Sequence, residues 1–487
     1  MNTKNIIILS YIAATLLMAG CSYEETDDDV LISRRLASDY SQQDKNKDFT
    51  IWKFIHEQSM IYYLWLENVP DYDIQYSWYD TPQEFFESFR HADDRFSAVL
   101  DNYTETEGSF NNEFTTDGLN YQLYLDDNGQ NQVIAIVEYV YDNSPAQEAG
   151  MKRGDVIHKV NGEQLTTDNY NKLLSRSITK YTYSKIKRTK VNGRDEYSYG
   201  DDLQESPEIT KRHMDIDPVL YKTVFNRNGK KVGYLLYDSF TNDPQSVIDA
   251  IENLKAQNID DFILDLRLNG GGYLSSLETI ASMLVPDGHV GDVFIKESFN
   301  SVLDQQYRET LGNDYNVTKF IKTDTKLNLD RLYVLTSRHT ASASEELISG
   351  LQPYMPVTII GEQTYGKFTS NYLINDTIDI GHDPDGIPYD EWAIYLCVAS
   401  CTNANGEMNF KKGFVPDYPI IDGFQHEPYD EEDPMLAKAL ELCAGGTLAK
   451  SQVLQPSPLK GYIAPYGKPI DKFGMVSKNK KQTKFCN

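Results

Sequence analysis

Basic residues are short in this chain: 46 lysines and arginines stand against 73 acids, a net charge of −27. That balance excludes a nucleic-acid binder, which needs a basic patch to meet phosphate. Long apolar runs are absent as well. The run Ile6–Met18 has 13 residues, too few for a bilayer span of ~20. Cysteine is scarce, with five copies. Cys397 and Cys401 stand four apart in a strand-like segment, roughly 13 Å when extended and beyond disulfide reach. A lone C-x-x-x-C specifies no metal, so we expect buried thiols, no metal and no cofactor. No internal repeat is found. What remains is 487 residues of ordinary apolar content, 34 of them tyrosine, enough for about three domains.

The pattern changes along the chain. Residues 49–104 are helical and aromatic-rich, with Thr81, Pro82 and Glu84 in the order of cap, first-turn proline and capping acid. Residues 105–190 read as strands, a short helix opening at Ser144-Pro145, and a hairpin at Asn161-Gly162. From 191 to 445, "KVGYLLYDSF", "DDFILDLRL", "RLYVLTS" and "MPVTIIGE" are strands alternating with helical segments. Continuous apolar strands between helices predict an α/β layered core. Residues 446–487 form a tail whose eight lysines face one acid, Asp471; it reads as solvated.

Chemistry concentrates in three stretches of the α/β region. "TASASEEL", Thr340–Leu347, puts Ser342 and Glu345 in capping-box spacing. Most such boxes are only caps. A serine at a helix start also lies beside unpaired amides and the positive end of the helix dipole. "DLRLNGGG", 265–272, is a glycine-rich turn off a strand, able to aim amides at a ligand oxygen. "GEQTYGKF" holds Lys367, 25 residues after Ser342. A helix, a loop and one strand fill that interval, so the lysine returns to the same sheet edge. His339 offers a Ser–His alternative, but it sits three residues before Ser342 and no Asp–His–Ser order is evident.

These stretches together resemble the C-terminal processing peptidases, or tail-specific proteases, over roughly residues 50–445. The resemblance implies a crotonase-like or Clp-like layered α/β peptidase core, an inserted PDZ domain at 105–190 and an N-terminal helical domain. It makes Ser342 the nucleophile and Lys367 the general base, with Gly271 and the Ala343 amide as oxyanion hole. "KKGFVPDYPI", Lys411–Ile420, is similar to the family's G-x-x-P-D segment. The family's lysine-orienting glutamine is Asn371 here, and the glycine after the lysine is Phe368. "GLNY", comprising Gly118, Leu119, Asn120 and Tyr121, stands where a PDZ carboxylate-binding loop would be. There it would hold a peptide terminus while the following strand pairs with the peptide edge-on.

A base near neutral pH requires the lysine pKa to fall by about three units from ~10.4, which burial must supply with no carboxylate in salt-bridge reach. At the N-terminus, Lys4, the apolar run and Ala19-Gly20-Cys21 resemble a bacterial lipoprotein signal. That implies loss of residues 1–20, lipidation of Cys21 and a flexible tether over 21–48. The acidic run after Cys21 is similar to the surface-export signal of Bacteroidetes lipoproteins, or is a plain solvated linker. The whole reads as an outer-membrane lipoprotein, facing periplasm or cell surface, that cleaves protein or peptide substrates and binds no nucleic acid. A non-catalytic peptide-binding lipoprotein and a scaffold for nutrient uptake are the rival readings.

Overall fold

The computed structural model describes residues 49–446, except 72–73, 127–130, 192–193, 376–382 and 384–385. The expected signal peptide, Cys21, the tether over 21–48 and the tail from 447 lie outside the described residues.

The N-terminal segment opens with helix α1, Thr50–Tyr62, whose Ile51, Phe54 and Ile55 fall on one face and are buried. Helix α2, Pro82–Glu87, starts as its sequence predicts, with Thr81 accepting from the Glu84 amide. The Glu84 carboxylate reaches one residue further back than the cap, to the Asp80 amide. Strand β1, Ala98–Leu100, then joins the larger core by pairing with Ala393–Tyr395.

The next unit is a small antiparallel sheet. Strand β2, Leu119–Leu125, pairs with β3, Val133–Val140. Strand β4, Asp155–Val160, pairs with β3 and with β5, Tyr181–Lys185. Asn161 and Gly162 both have positive φ, 52° and 80°. That is the requirement of a two-residue hairpin turn whose twist matches its strands. Ser144 caps the short helix Pro145–Glu148. Leu123, Val137, Ile157 and Leu173 fill the unit's own core.

The larger core has two sheets with helices between them. In the six-stranded sheet, β6, Val219–Arg227, is antiparallel to β7, Lys230–Tyr237. Strands β8, Asp261–Asp265, β9, Leu332–Thr336, and β10, Val357–Gly361, follow in parallel. Alternation along these strands decides the layers. Leu235, Leu264 and Val334 face helices α3, Gln245–Ala256, α4, Leu274–Leu284, and α5, Ala343–Leu351. Leu236, Ile263 and Leu335 face the opposite side, where Met435, Leu436 and Leu440 of α6, Pro434–Cys443, pack. Both faces are covered, which is why the strand sequences are continuously apolar. The second sheet centres on the antiparallel strand Ala393–Asn403, whose Ile394, Leu396, Cys397 and Cys401 share the apolar cluster of α1 and α5. Cys397, Cys401 and Cys443 are buried free thiols.

One ionic chain crosses between the small unit and the core. Arg153 pairs with Asp422 at 2.5 Å, and Asp422 lies 3.3 Å from Arg267. Arg267 is buried; it holds Asp433 through two bonds of 2.9 Å and Asp265 at 3.0 Å. Breaking a buried pair from one side strands the remaining charge. Arg267→Met should therefore lower the unfolding free energy by ~3–5 kcal/mol, read as a fall in urea midpoint.

Candidate active site

Strand β9 ends at Thr336 and α5 begins at Ala343, so residues 337–342 must turn in a short loop. Side chains pin that loop to the end of β8. Ser337 Oγ donates to the Arg267 carbonyl at 2.5 Å, and Thr340 Oγ1 to the Leu266 carbonyl at 2.8 Å. Ser342 closes the turn with φ +58° and ψ −118°. Such a backbone costs a non-glycine residue ~1–3 kcal/mol and persists only when its surroundings over-determine it. Here the Ser342 amide donates to Glu345 Oε2 at 3.0 Å and its carbonyl accepts from the Glu346 amide at 2.8 Å.

The glycine-rich turn supplies room. A Cβ on Gly271 would lie 2.8 Å from Ser342 Cβ and 3.1 Å from the Ala343 nitrogen, and its φ is +112°. Only glycine fits. The Gly271 amide, expected in the oxyanion hole, instead donates to Asn269 Oδ1 at 2.8 Å. That side chain also receives Ser344 Oγ at 3.0 Å, so the bond locks the turn to α5. The Ala343 amide, at the first position of the helix, has no intrahelical acceptor to take it.

Lys367 sits on the loop between β10 and strand Thr369–Asn375. Lys411–Gly413 back this loop. A Cβ on Gly366 would meet the Gly413 nitrogen at 2.7 Å, and one on Gly413 would meet the Thr364 carbonyl oxygen at 2.0 Å. Lys367 is fully buried, with Nζ 3.4 Å from Ser342 Oγ and 3.1 Å from the Tyr395 hydroxyl. The rings of Phe96 and Tyr395 wall the amine at 5.8 and 5.3 Å. Arg95 seals the outside, donating to the Gly366 carbonyl at 2.9 Å.

Glu345 joins the two loops. Its Oε1 accepts from Thr364 Oγ1 at 2.5 Å and the Gly366 amide at 2.7 Å; its Oε2 accepts from the Lys367 amide at 2.8 Å and the Ser342 amide. The capping acid of the sequence thus also grips the lysine's backbone.

Burial sets the ionisation of the site. It lowers Lys367 to about 8, against the pull of Cys397, Glu346, Cys401 and Glu345. It raises Glu345 to about 7, opposed by the four donors just named. It raises Glu346 to about 8. Among the described residues, Lys367 makes no ion pair with a carboxylate; its polar neighbours are two hydroxyls.

One expected residue, Asn371, lies elsewhere, and so does the rival His339. Asn371 does not orient the lysine: its Oδ1 accepts from Thr369 Oγ1 at 3.1 Å and its Nδ2 donates to Cys397 Sγ at 3.4 Å. A strand bulge between Ser370 and Asn371 sets it opposite Cys397. The Tyr395 hydroxyl meets the lysine amine in its place, at 3.1 Å, and no motif spacing announces it. His339 Nε2 lies 2.9 Å from Glu138 Oε2 on β3, which turns the imidazole toward the small sheet rather than behind the serine.

At the loop Gly118–Tyr121, the Gly118 amide donates to Thr116 Oγ1 at 2.9 Å and the Leu119 amide to Asp117 Oδ1 at 3.0 Å. Strand β2 is the last of its sheet.

Comparison with known proteins matches two regions of the chain. Residues 231–420 match the sequence model of peptidase family S41, and residues 136–178 that of a PDZ domain. A carboxyl-terminal-processing protease of Synechocystis sp. is 28% identical over 308 residues, 62% of this chain and 63% of that protein. A carboxy-terminal processing protease of Bacillus subtilis is 24% identical over 348 residues, 70% of this chain and 63% of that protein. The chain thus spans under two thirds of the length of these relatives. The crystal structure of a candidate S41 protease from Bacteroides fragilis shares the fold, with a TM-score of 0.64 at 24% identity over 84% of this chain and 100% of that one. With the layered α/β core and the small sheet that precedes it, these matches show that residues 231–420 are similar to peptidase family S41, the serine-type peptidases, and residues 136–178 to a PDZ domain.

Proposed function

We propose that the protein is a serine endopeptidase with Ser342 as nucleophile, Lys367 as general base, and a PDZ domain that engages protein substrates. The observation that carries this reading is a buried amine 3.4 Å from a buried hydroxyl. The neutral amine takes the Ser342 proton as Oγ attacks the scissile carbonyl. The Ala343 amide receives the developing oxyanion. The ammonium then returns its proton to the departing amine, leaving an ester on Ser342. Lys367 next deprotonates water, which hydrolyses the ester. Tyr395 orients the amine without charging it. The Ala19-Gly20-Cys21 stretch supports a lipid anchor at Cys21 on an outer membrane, facing periplasm or cell surface. A second reading, a non-catalytic peptide-binding lipoprotein, draws its support from Asn371, which bonds to Thr369 rather than to the lysine.

Ser342→Ala should abolish cleavage of unfolded β-casein and labelling by a fluorophosphonate, a loss of ~10⁴-fold or more. Retained cleavage would remove the dyad from the mechanism. The acid limb follows from the sign of the lysine shift. Only the neutral amine is a base, so kcat/KM should climb about tenfold per unit below pH 8 and flatten above it. Glu346 titrates in the same range, so the midpoint belongs to the coupled set rather than to the amine alone. The same shift carries a stability cost. A folded pKa of about 8 against the model value of 10.5 is 10.5 − 8 = 2.5 units, about 3 kcal/mol below pH 8. The unfolded chain binds the extra proton between pH 8 and 10.5, so the cost fades across that window. Lys367→Met should therefore stabilise the fold by about 3 kcal/mol at pH 7 and by almost nothing above pH 10.5, measured by urea denaturation.

A further inference from the structure

We propose that Glu346 is a positioning residue for the general base: a buried carboxyl group that has to keep its proton for Lys367 to stay neutral. This deepens the endopeptidase reading and rests on the Ser342–Lys367 dyad that it assumes.

Glu345 and Glu346 open the same helix and serve different neighbours. Glu345 takes four donors from the serine and lysine loops. Glu346 stands one residue on, about 100° further round the helix. Its amide donates to the Ser342 carbonyl at 2.8 Å, which fixes its backbone beside the nucleophile. Helix α5 packs there on strands Val293–Phe299 and Ala393–Asn403. Glu297 and Cys401 of those strands are directly opposite in register. Their Cβ atoms therefore lie about 5 Å apart on one side of the sheet, and both residues are buried. Cys401 is tied in turn to the segment that follows the lysine. Its amide donates to the Phe368 carbonyl at 3.1 Å, and its thiol lies 3.1 Å from Ser370 Oγ.

Glu346 is thus enclosed between the turn of Ser342 and the strand that leaves Lys367. It is 0% exposed, and neither of its oxygens has a hydrogen-bond partner of ordinary geometry among the described residues. The Cys401 thiol, a weak donor, is the polar group that approaches it. An ionised carboxylate so placed is costly, whereas the acid form is not. The Lys367 amine meets Ser342 Oγ and the Tyr395 hydroxyl instead of pairing with this carboxyl. One proton on the carboxyl and none to spare on the amine leaves both groups uncharged. Loss of the carboxyl proton would set a negative charge near the amine where water does not screen it, and the amine would take up a proton.

Charges reach Glu346 from every element around it. Burial holds its carboxyl up at about 8. Glu297 on strand Val293–Phe299 and Glu345 on its own helix push the same way, while the Cys401 thiol and Lys367 oppose them. Carboxyl and amine consequently titrate over one range as a coupled pair.

The test follows kcat/KM for β-casein cleavage and the rate of fluorophosphonate labelling against pH in the full chain. Glu346→Gln is uncharged at every pH. Its acid limb should be a single-proton curve with a midpoint about half a pH unit or more below that of the unsubstituted chain. The gain should be about twofold near pH 8 and vanish below about pH 6, where the carboxyl is protonated in the unsubstituted chain too. Glu297→Gln removes a charge that helps Glu346 keep its proton, so its midpoint should rise. A purely structural role would lower activity at every pH and leave the midpoints together. A Glu346→Gln midpoint that rises, or stays within about 0.2 pH unit, overturns the proposal. Should that variant not fold, an unmoved or lowered midpoint in Glu297→Gln overturns it instead. Cleavage or labelling that survives Ser342→Ala defeats the dyad itself, a different result from an active dyad with an unmoved midpoint.

Discussion

A single buried carboxylate sets the distance on which the site depends. Glu345 takes hydrogen bonds from the Ser342 amide on one loop and from the Gly366 and Lys367 amides on another. The two loops are not neighbours in sequence, and nothing in β-sheet geometry alone brings a strand-to-helix turn and a strand-to-strand loop into register at ångström precision. Charge-assisted bonds to one rigid acceptor do so. The strained φ of Ser342 is tolerable because its amide and carbonyl are both held. The acid touches the backbone of the lysine rather than its amine, so it positions the residue without forming an ion pair with its side chain. Thr364 completes the arrangement by tying the same carboxylate to the segment that carries Gly413.

Much of the fold was legible because local rules and tertiary needs coincide. Asn161-Gly162, Ser144-Pro145 and Thr81-Pro82-x-Glu84 announce turns and caps through backbone chemistry, and the structure uses each. The apolar strands of the layered core were equally plain, since two covered faces leave no polar alternation. Ser342 and Lys367 could be paired because the elements between them fit one sheet crossing.

What sequence did not reveal lies in cross-strand placement. Tyr395 and Asn371 sit on paired strands, and a one-residue bulge decides which of their neighbours each can reach. No spacing rule predicts a bulge there. The Gly271 amide was misassigned for a related reason: the glycine is required by the close approach of Ser342, while its N–H is diverted by Asn269, two residues earlier. A glycine motif states that space is needed and leaves open which amides remain available. The ionic chain through Arg267 was invisible too, since Asp422 and Asp433 lie more than 150 residues away.

That chain has a consequence for how the molecule can be divided. Asp422 is shared by an arginine of the PDZ domain and an arginine rooted at the strand end beneath the loop that leads to Ser342. Excising the PDZ module would remove a cation from the interior of what is left, and grafting in a foreign one would demand an arginine at the same spot. The two folds look modular along the chain but share a common charge account, so chimeras that respect only sequence boundaries inherit an unbalanced interior.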